Sequence, residues 1–186
     1  MVWMIYLQVF VSSYRRQLRA TLLITRGAGD GLEARCFLSN MSAGPIYVQS
    51  VLVTLETAAG TLVRPVTDIL DLEDEPPDDP RLQTRQGPLG SGETRDLGSF
   101  SNLLRHVLRA STDAPNPTPA ETTVRSIVIE IVGIYSSEDL PIGARRRFLV
   151  LDHEGRLRIQ GQELETEQIR SRRQRRRLVA DLERDR

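Results

Sequence analysis

The chain has 186 residues, of which 25 are basic and 25 acidic, so its formal net charge is zero. That length suits one domain, and that balance excludes a uniformly basic nucleic-acid binder. Hydrophobic residues make up 39% and 13 residues are glycine, a globular composition that excludes collagen-like, coiled-coil and wholly disordered chains. Every basic residue is arginine, which speaks first of a GC-rich coding genome. The absence of lysine also removes any Walker-type phosphate loop. A single cysteine, Cys36, allows neither an intrachain disulfide nor a thiolate metal site and fits a reducing compartment.

The run from Met1 to Val11 is apolar except at Gln8 and is followed by Arg15, Arg16 and Arg19. It falls short of the roughly 20 apolar residues that a spanning helix needs. A secretory signal would carry positive charge before the run and a small-residue cleavage site after it, and neither is present. Two readings stay open for residues 1–20: a short amphipathic or core helix, or the C-terminal half of a membrane anchor whose first half lies upstream. Trp3 and Tyr6 are aromatics of the interface-seeking type, and the three arginines stand where the positive-inside bias would hold that end in the cytoplasm. The run is apolar nearly all round instead of along one stripe, which also favours the membrane. The expected location is an inner membrane with the folded domain cytoplasmic. A peripheral cytoplasmic protein is the alternative.

Residues 21–160 read as a β-sandwich domain. Thr21 to Arg26 and Leu32 to Ser39 flank the turn cluster Gly27-Ala-Gly-Asp-Gly31, a hairpin signature. The alternating glycines imitate a phosphate loop, but such a loop must open into a helix and this one leads into a strand pattern. Asn40 to Pro45 supplies the next turn, and its Asn40-Met41-Ser42 triplet is read as turn chemistry before glycosylation. Ile46 to Glu56 is the strongest strand, with Ile46, Val48, Ser50, Leu52 and Thr54 alternating against Tyr47, Gln49, Val51, Val53 and Leu55.

The sequence from strand through Asn-x-Ser-x-x-Pro to Ile46-Tyr-Val-x-Ser-Val, with Ile134-Tyr-Ser-Ser and Gly143-Ala-Arg-Arg-Arg-Phe148 further on, resembles small immunoglobulin-like β-sandwich domains of bacterial proteins that carry one N-terminal membrane anchor. The resemblance spans residues 15 to 160. It implies a fold and a membrane-tethered setting and brings no catalytic residues with it.

Residues 66–80 hold seven carboxylates and three prolines without a basic residue. They lack the spaced ligand array and turn glycine of a calcium loop and are expected as a solvated, extended loop. Leu89 to Leu97 is expected as an edge strand. Ser99 then stands as N-cap before Phe100, Leu103, Leu104, Val107 and Leu108, the spacing of one amphipathic helix. His106 and His153 do not pair sensibly into a metal site. Pro115 to Pro119 is an extended linker, Thr122 to Tyr135 a long strand, Arg146 to Leu151 its return, and Asp152 to Gly155 a turn into Arg156 to Ile159. About seven strands with one amphipathic helix, an apolar N-terminal helix and a charged C-terminal helix define a mainly β, immunoglobulin-like sandwich.

The tail, residues 161–186, is expected as an Arg-rich helix, and Glu163, Glu165 and Glu167 ahead of the arginines favour a solvated, charge-laced one through helix-end electrostatics. Its core contains Arg170, Arg172, Arg173, Arg175, Arg176 and Arg177, and arginine forks suit phosphate oxygens. Nucleic acid is disfavoured, because no aromatic residue follows Phe148 to stack on bases. An anionic lipid surface or a protein partner remains open, since clusters of about 4–8 basic residues beside a membrane add roughly 1 kcal/mol each. No Gly-x-Ser-x-Gly turn or His-Glu-x-x-His helix occurs, and Cys36 lies inside a strand, so neither catalysis nor a cofactor or metal is expected. The functional expectation is a non-catalytic, membrane-associated interaction domain with Trp3, Tyr6, Arg15, Arg16 and Arg19 proximal to the bilayer. The alternative is a soluble nucleic-acid-binding accessory protein that uses the arginine tail.

Overall fold

A computed structural model describes residues 2–17, 19–67, 84–111, 123–136 and 138–176. The protein is mainly β, with two antiparallel sheets and three short helices. Helix α1 (Val2–Gln17) precedes strands β1 (Leu22–Arg26), β2 (Arg35–Asn40), β3 (Ile46–Thr57), β4 (Thr61–Pro65), β5 (Gly87–Leu89) and β6 (Thr94–Ser99). Helix α2 (Phe100–Ser111) follows, then β7 (Val124–Tyr135), β8 (Ile142–His153), β9 (Arg156–Gly161) and β10 (Glu167–Ile169). A helical turn at 172–176 ends the described chain.

The smaller sheet has the order β1-β2-β6. The larger runs β10-β8-β7-β3-β4, with β5 beside β4 on the edge of β3 and β9 beside β10 on the edge of β8. Their facing sides form one core. Leu22, Ile24, Cys36, Leu38 and Leu97 come from the small sheet, and Ile46, Val48, Val51, Val53, Leu55, Ile127, Ile129, Ile131 and Phe148 from the large one.

The faces of β3 do not follow strict alternation. Ile46 and Val48 are buried on the same side as Val51, Val53 and Leu55, because the pairing with β7 shifts register between Val48 and Ser50. A bulge inserts one residue and resets the pleat. The neighbouring Gly133 is required there, since a Cβ would lie 2.9 Å from the Ile46 side chain and 3.0 Å from the Tyr47 carbonyl.

Helix α2 forms as its apolar spacing dictates. The Ser99 hydroxyl accepts the Asn102 amide at 3.2 Å, which satisfies one orphan donor of the first turn. Phe100, Leu103 and Val107 are fully buried, and the Phe100 ring meets Phe148 edge-on with centroids 4.8 Å apart. Helix α2 packs against β3, β4 and β6 and so links the two layers.

The open edge of β1 is closed by side chains instead of a strand. The Leu22 amide donates to Gln168 Oε1 at 3.1 Å, and Gln168 Nε2 donates back to the Leu22 carbonyl at 2.6 Å. The Ile24 amide donates to Thr166 Oγ1 at 2.9 Å, and Arg146 Nη1 reaches the Ile24 carbonyl at 2.6 Å. An unpaired strand edge exposes donors and acceptors that must find partners. Three side chains of the large sheet and its last connection supply them here.

Several expectations need correction. Leu89 to Leu97 is not one strand: β5 and β6 belong to different sheets, and the turn at Ser91 and Gly92, where Gly92 adopts a φ of 73°, carries the chain between them. Strand β4 has no counterpart among the expected strands, and β8 begins at Ile142, four residues before the expected Arg146. The segment from 161 is not a continuous helix. It finishes β9, forms β10 against Gly143 to Arg145, and becomes helical only at 172–176. Buried Thr166 and half-buried Gln168 both face β1, and their two-residue spacing is the period of a strand. The acidic loop, from Asp68 onward, the proline linker, and the tail from Arg177 lie outside the described residues.

Candidate functional site

At one end of the sandwich, β1 begins, β2 ends, β3 begins, β7 ends and β8 begins, as the registers Leu22 to Asn40, Ile46 to Tyr135 and Gly133 to Ile142 require. Strand β10 ends there too, with Ile169 opposite Gly143. This base is tied together by Asn40, whose Nδ2 donates to the carbonyls of Gly44 and Leu89, both at 2.9 Å. Asn40 Oδ1 accepts the Ser42 amide at 2.9 Å. The Asn-Met-Ser triplet is therefore an Asx turn whose side chain is buried and fully engaged.

The base holds a cleft of about 320 Å³. Arg19 and Ala20 line it from the segment between α1 and β1, Glu138 from the connection after β7, and Gln168, Arg170 and Arg175 from the end of β10 and the turn beyond. Arg175 is buried, and its Nη1 lies 2.8 Å from Glu138 Oε2. Its Nε donates to the carbonyl of Ile169 at 3.4 Å, and Ile169 packs on Val132. Arg19 and Arg170 are exposed and have no hydrogen-bond or ion-pair partner among the described residues. Three arginines and one carboxylate thus line the cleft, leaving local positive charge in a chain whose formal sum is zero.

The two groups of residues singled out in the sequence meet here in part. Arg19 from the N-terminal segment and Arg170 and Arg175 from the tail share the cleft, while Arg172, Arg173 and Arg176 lie exposed on the adjoining helical turn. Arg175 is a correction, because burial and the ion pair with Glu138 withdraw it from an external surface. Arg15 and Arg16 fall in the final turns of α1. Trp3, Met4, Ile5, Tyr6, Leu7, Val9 and Phe10 on α1 are all exposed, Trp3 at 84%. No helix among the described residues is long and apolar enough to cross a membrane.

A second cleft, about 380 Å³, crosses the outer face of the large sheet between Glu56, Glu130, Arg145, Arg147 and Glu167. Its charges engage one another. Arg147 Nη2 is 2.6 Å from Glu56 Oε1, Ser126 donates to Glu56 Oε2 at 2.7 Å, and Arg145 Nη2 is 2.8 Å from Glu167. Cross-strand pairs of opposite charge brace a sheet in this way, and the arginines here are already committed.

Cys36 is buried, and that burial, assisted by the charge of Asp96 and opposed by Arg146 and Arg85, pushes its thiol up from 9.0 to about 12. At neutral pH it is a protonated packing group with no thiolate to offer. The glycine-rich loop at 27–31 ends in a bridge from Gly31 to Arg158 and leads into β2. His153 is exposed at the β8–β9 hairpin, where Glu154 and Gly155 have φ of 54° and 77°. Among the described residues, no group of three or more His, Cys, Asp or Glu side chains gathers to hold a metal ion.

The juxtaposition of Arg19 with Arg170 could not be read from the sequence. Its only signal lies in Thr166 and Gln168, whose alternation places β10 beside β1 and so brings the tail to the start of the domain. No protein-family model, curated protein or solved structure matches this chain.

Proposed function

We propose that this protein is a non-catalytic interaction domain held at the cytoplasmic face of a bacterial inner membrane, with α1 as its lipid-contacting element and the arginine-rich base turned toward the headgroups. The observation that carries the reading is the ring of exposed apolar side chains on α1. Seven large apolar residues between Trp3 and Phe10 stand in solvent, a surface that favours burial at about 25 cal/mol per Å². A protein groove covers one stripe of a helix, whereas lipid covers it all round. Trp3 and Tyr6 suit the interface, and Arg15, Arg16 and Arg19 keep the domain end of the helix at the cytoplasmic side.

The immunoglobulin-like reading of the domain is supported by strand order. With β1, β2, β3, β4, β6, β7 and β8 taken as strands A, B, C, C′, E, F and G, the small sheet is A-B-E and the large one G-F-C-C′, the division found in such sandwiches. Strands β9 and β10 are additions beyond G, and β10 brings the tail to the base.

Vesicle flotation of the full chain tests the proposal. The protein floats with anionic vesicles, and Ile5→Glu with Leu7→Glu abolishes flotation while leaving the thermal unfolding of the domain unchanged, because both side chains are exposed. A chain that stays wholly soluble at low salt without detergent overturns it. The nucleic-acid reading retains Arg172, Arg173 and Arg176 as exposed cations. It requires binding that weakens steeply with salt and collapses when these arginines become glutamine.

A further inference from the structure

We propose that the basal cleft is a binding site for the terminal phosphomonoester of a membrane lipid, held between Arg19 and Arg170. This rests on the membrane reading above and goes beyond it, because an adhesive basic surface needs no particular geometry and this cleft has one. Arg19 and Arg170 come from opposite ends of the domain and line the same cavity. Gln168, between Thr166 and Arg170, fixes that approach by bonding both the amide and the carbonyl of Leu22.

The charge pattern selects an anion. Glu138 is the one carboxylate among the described lining residues, and it is engaged by buried Arg175 at 2.8 Å. That ion pair is neutral, whereas Arg19 and Arg170, both exposed, line the same cleft without a hydrogen-bond or ion-pair partner among the described residues. The guanidinium forks of two residues lining one cavity suit the three free oxygens of a phosphomonoester, which accepts paired hydrogen bonds from each. The volume of about 320 Å³ lies at the lower end of the roughly 300–1,000 Å³ of small-ligand sites. That is room for a phosphorylated headgroup and little more.

The source is a lipid because the cleft is lined by Arg19 and Ala20, where the chain enters the domain two residues after α1. With α1 in the bilayer, that point lies at headgroup level. The outer-face cleft offers no such match, since Arg145 and Arg147 are paired with Glu167 and Glu56 and Arg146 bonds backbone carbonyls.

The experiment measures partitioning of the full chain onto phosphatidylcholine vesicles doped with phosphatidic acid or, at equal surface charge, with phosphatidylserine. Two double variants remove the same charge: Arg19→Gln with Arg170→Gln in the cleft, and Arg172→Gln with Arg173→Gln on the exposed turn. On phosphatidic acid the cleft pair loses about tenfold more binding than the turn pair, and on phosphatidylserine the two pairs lose equally. Equal losses on both lipids overturn the site while leaving general membrane association standing. Soluble glycerol 3-phosphate forms the second arm, read by the amide resonances of Gly143 and Arg170. If it shifts them while no vesicle binds, the ligand is a free phosphoester, and both the lipid source and the membrane reading fall.

Discussion

Replacing Thr166 by valine tests whether the sandwich is closed at β1 by side chains. Thr166 and Ile24 are buried, and the Thr166 hydroxyl oxygen accepts the Ile24 amide at 2.9 Å. Valine keeps the shape and leaves no cavity, so the loss is confined to this bond and the longer one that the hydroxyl donates to the Ile24 carbonyl at 3.3 Å. The Ile24 carbonyl retains Arg146 at 2.6 Å, but the Ile24 amide is left with no acceptor. An unsatisfied buried donor costs about 1–3 kcal/mol. At a slope of about 2 kcal/mol per molar urea, a loss of about 2 kcal/mol lowers the unfolding midpoint by about 1 M. Thr166→Ser keeps the bond and deletes one methyl, a loss of about 0.8 kcal/mol. Far-UV circular dichroism is the suitable probe, because the single tryptophan, Trp3, sits on α1, outside the sandwich. A valine variant within about 0.2 M of the parent midpoint, or a serine variant more damaging than valine, refutes the reasoning.

Two further outcomes follow from the core. Because the folded Cys36 thiol titrates near about 12 and an ordinary one near 9.0, the unfolded state releases its proton first as pH rises. Cys36 therefore contributes no pH dependence below 9 and loses stability for the native state between 9 and about 12. Urea midpoints of the parent fall faster over that range than those of Cys36→Ala, and parallel curves contradict the assignment. Phe148→Ala removes the ring that meets Phe100 and lies 5.3 Å below the Arg146 guanidinium. It costs about 3–5 kcal/mol, and hydrogen exchange in α2 accelerates along with that in β8. Unchanged exchange in α2 would show that the aromatic pair does not couple the helix to the large sheet.

The long strands were legible because their burial is strong. Ile46 to Thr57 and Val124 to Tyr135 present β-branched residues to a core on one face, and the second face is itself partly covered. Helix α2 was legible for the same reason, with Ser99 marking its start. Strand β4 was not, since Thr61, Val63, Arg64 and Pro65 are exposed on a sheet edge and leave no apolar alternation to read. Strand β10 was hidden by its charge: Glu163, Glu165 and Glu167 read as the acidic first turns of a helix, while the informative alternation was that of polar Thr166 and Gln168. Arg146 carried no sequence signal either. It lies on the inward-facing side of β8 between Ala144 and Phe148, and its charge is met by the carbonyls of Ile24, Glu163 and Leu164. Of the site, the component arginines were visible but their convergence was not. Arg19 and Arg170 line one cleft because Gln168 pairs with Leu22, 146 residues away in sequence.

Entry of α1 into lipid is the central proposed event, and the helix's own tryptophan reports it. Trp3 is the only tryptophan in the chain and is 84% exposed, so its emission begins at the long wavelength of a solvated indole. On addition of anionic vesicles to the full chain, the emission moves to shorter wavelength and becomes quenchable by brominated acyl chains. An emission maximum that stays at its solvated position, with no quenching by brominated lipid, contradicts the account.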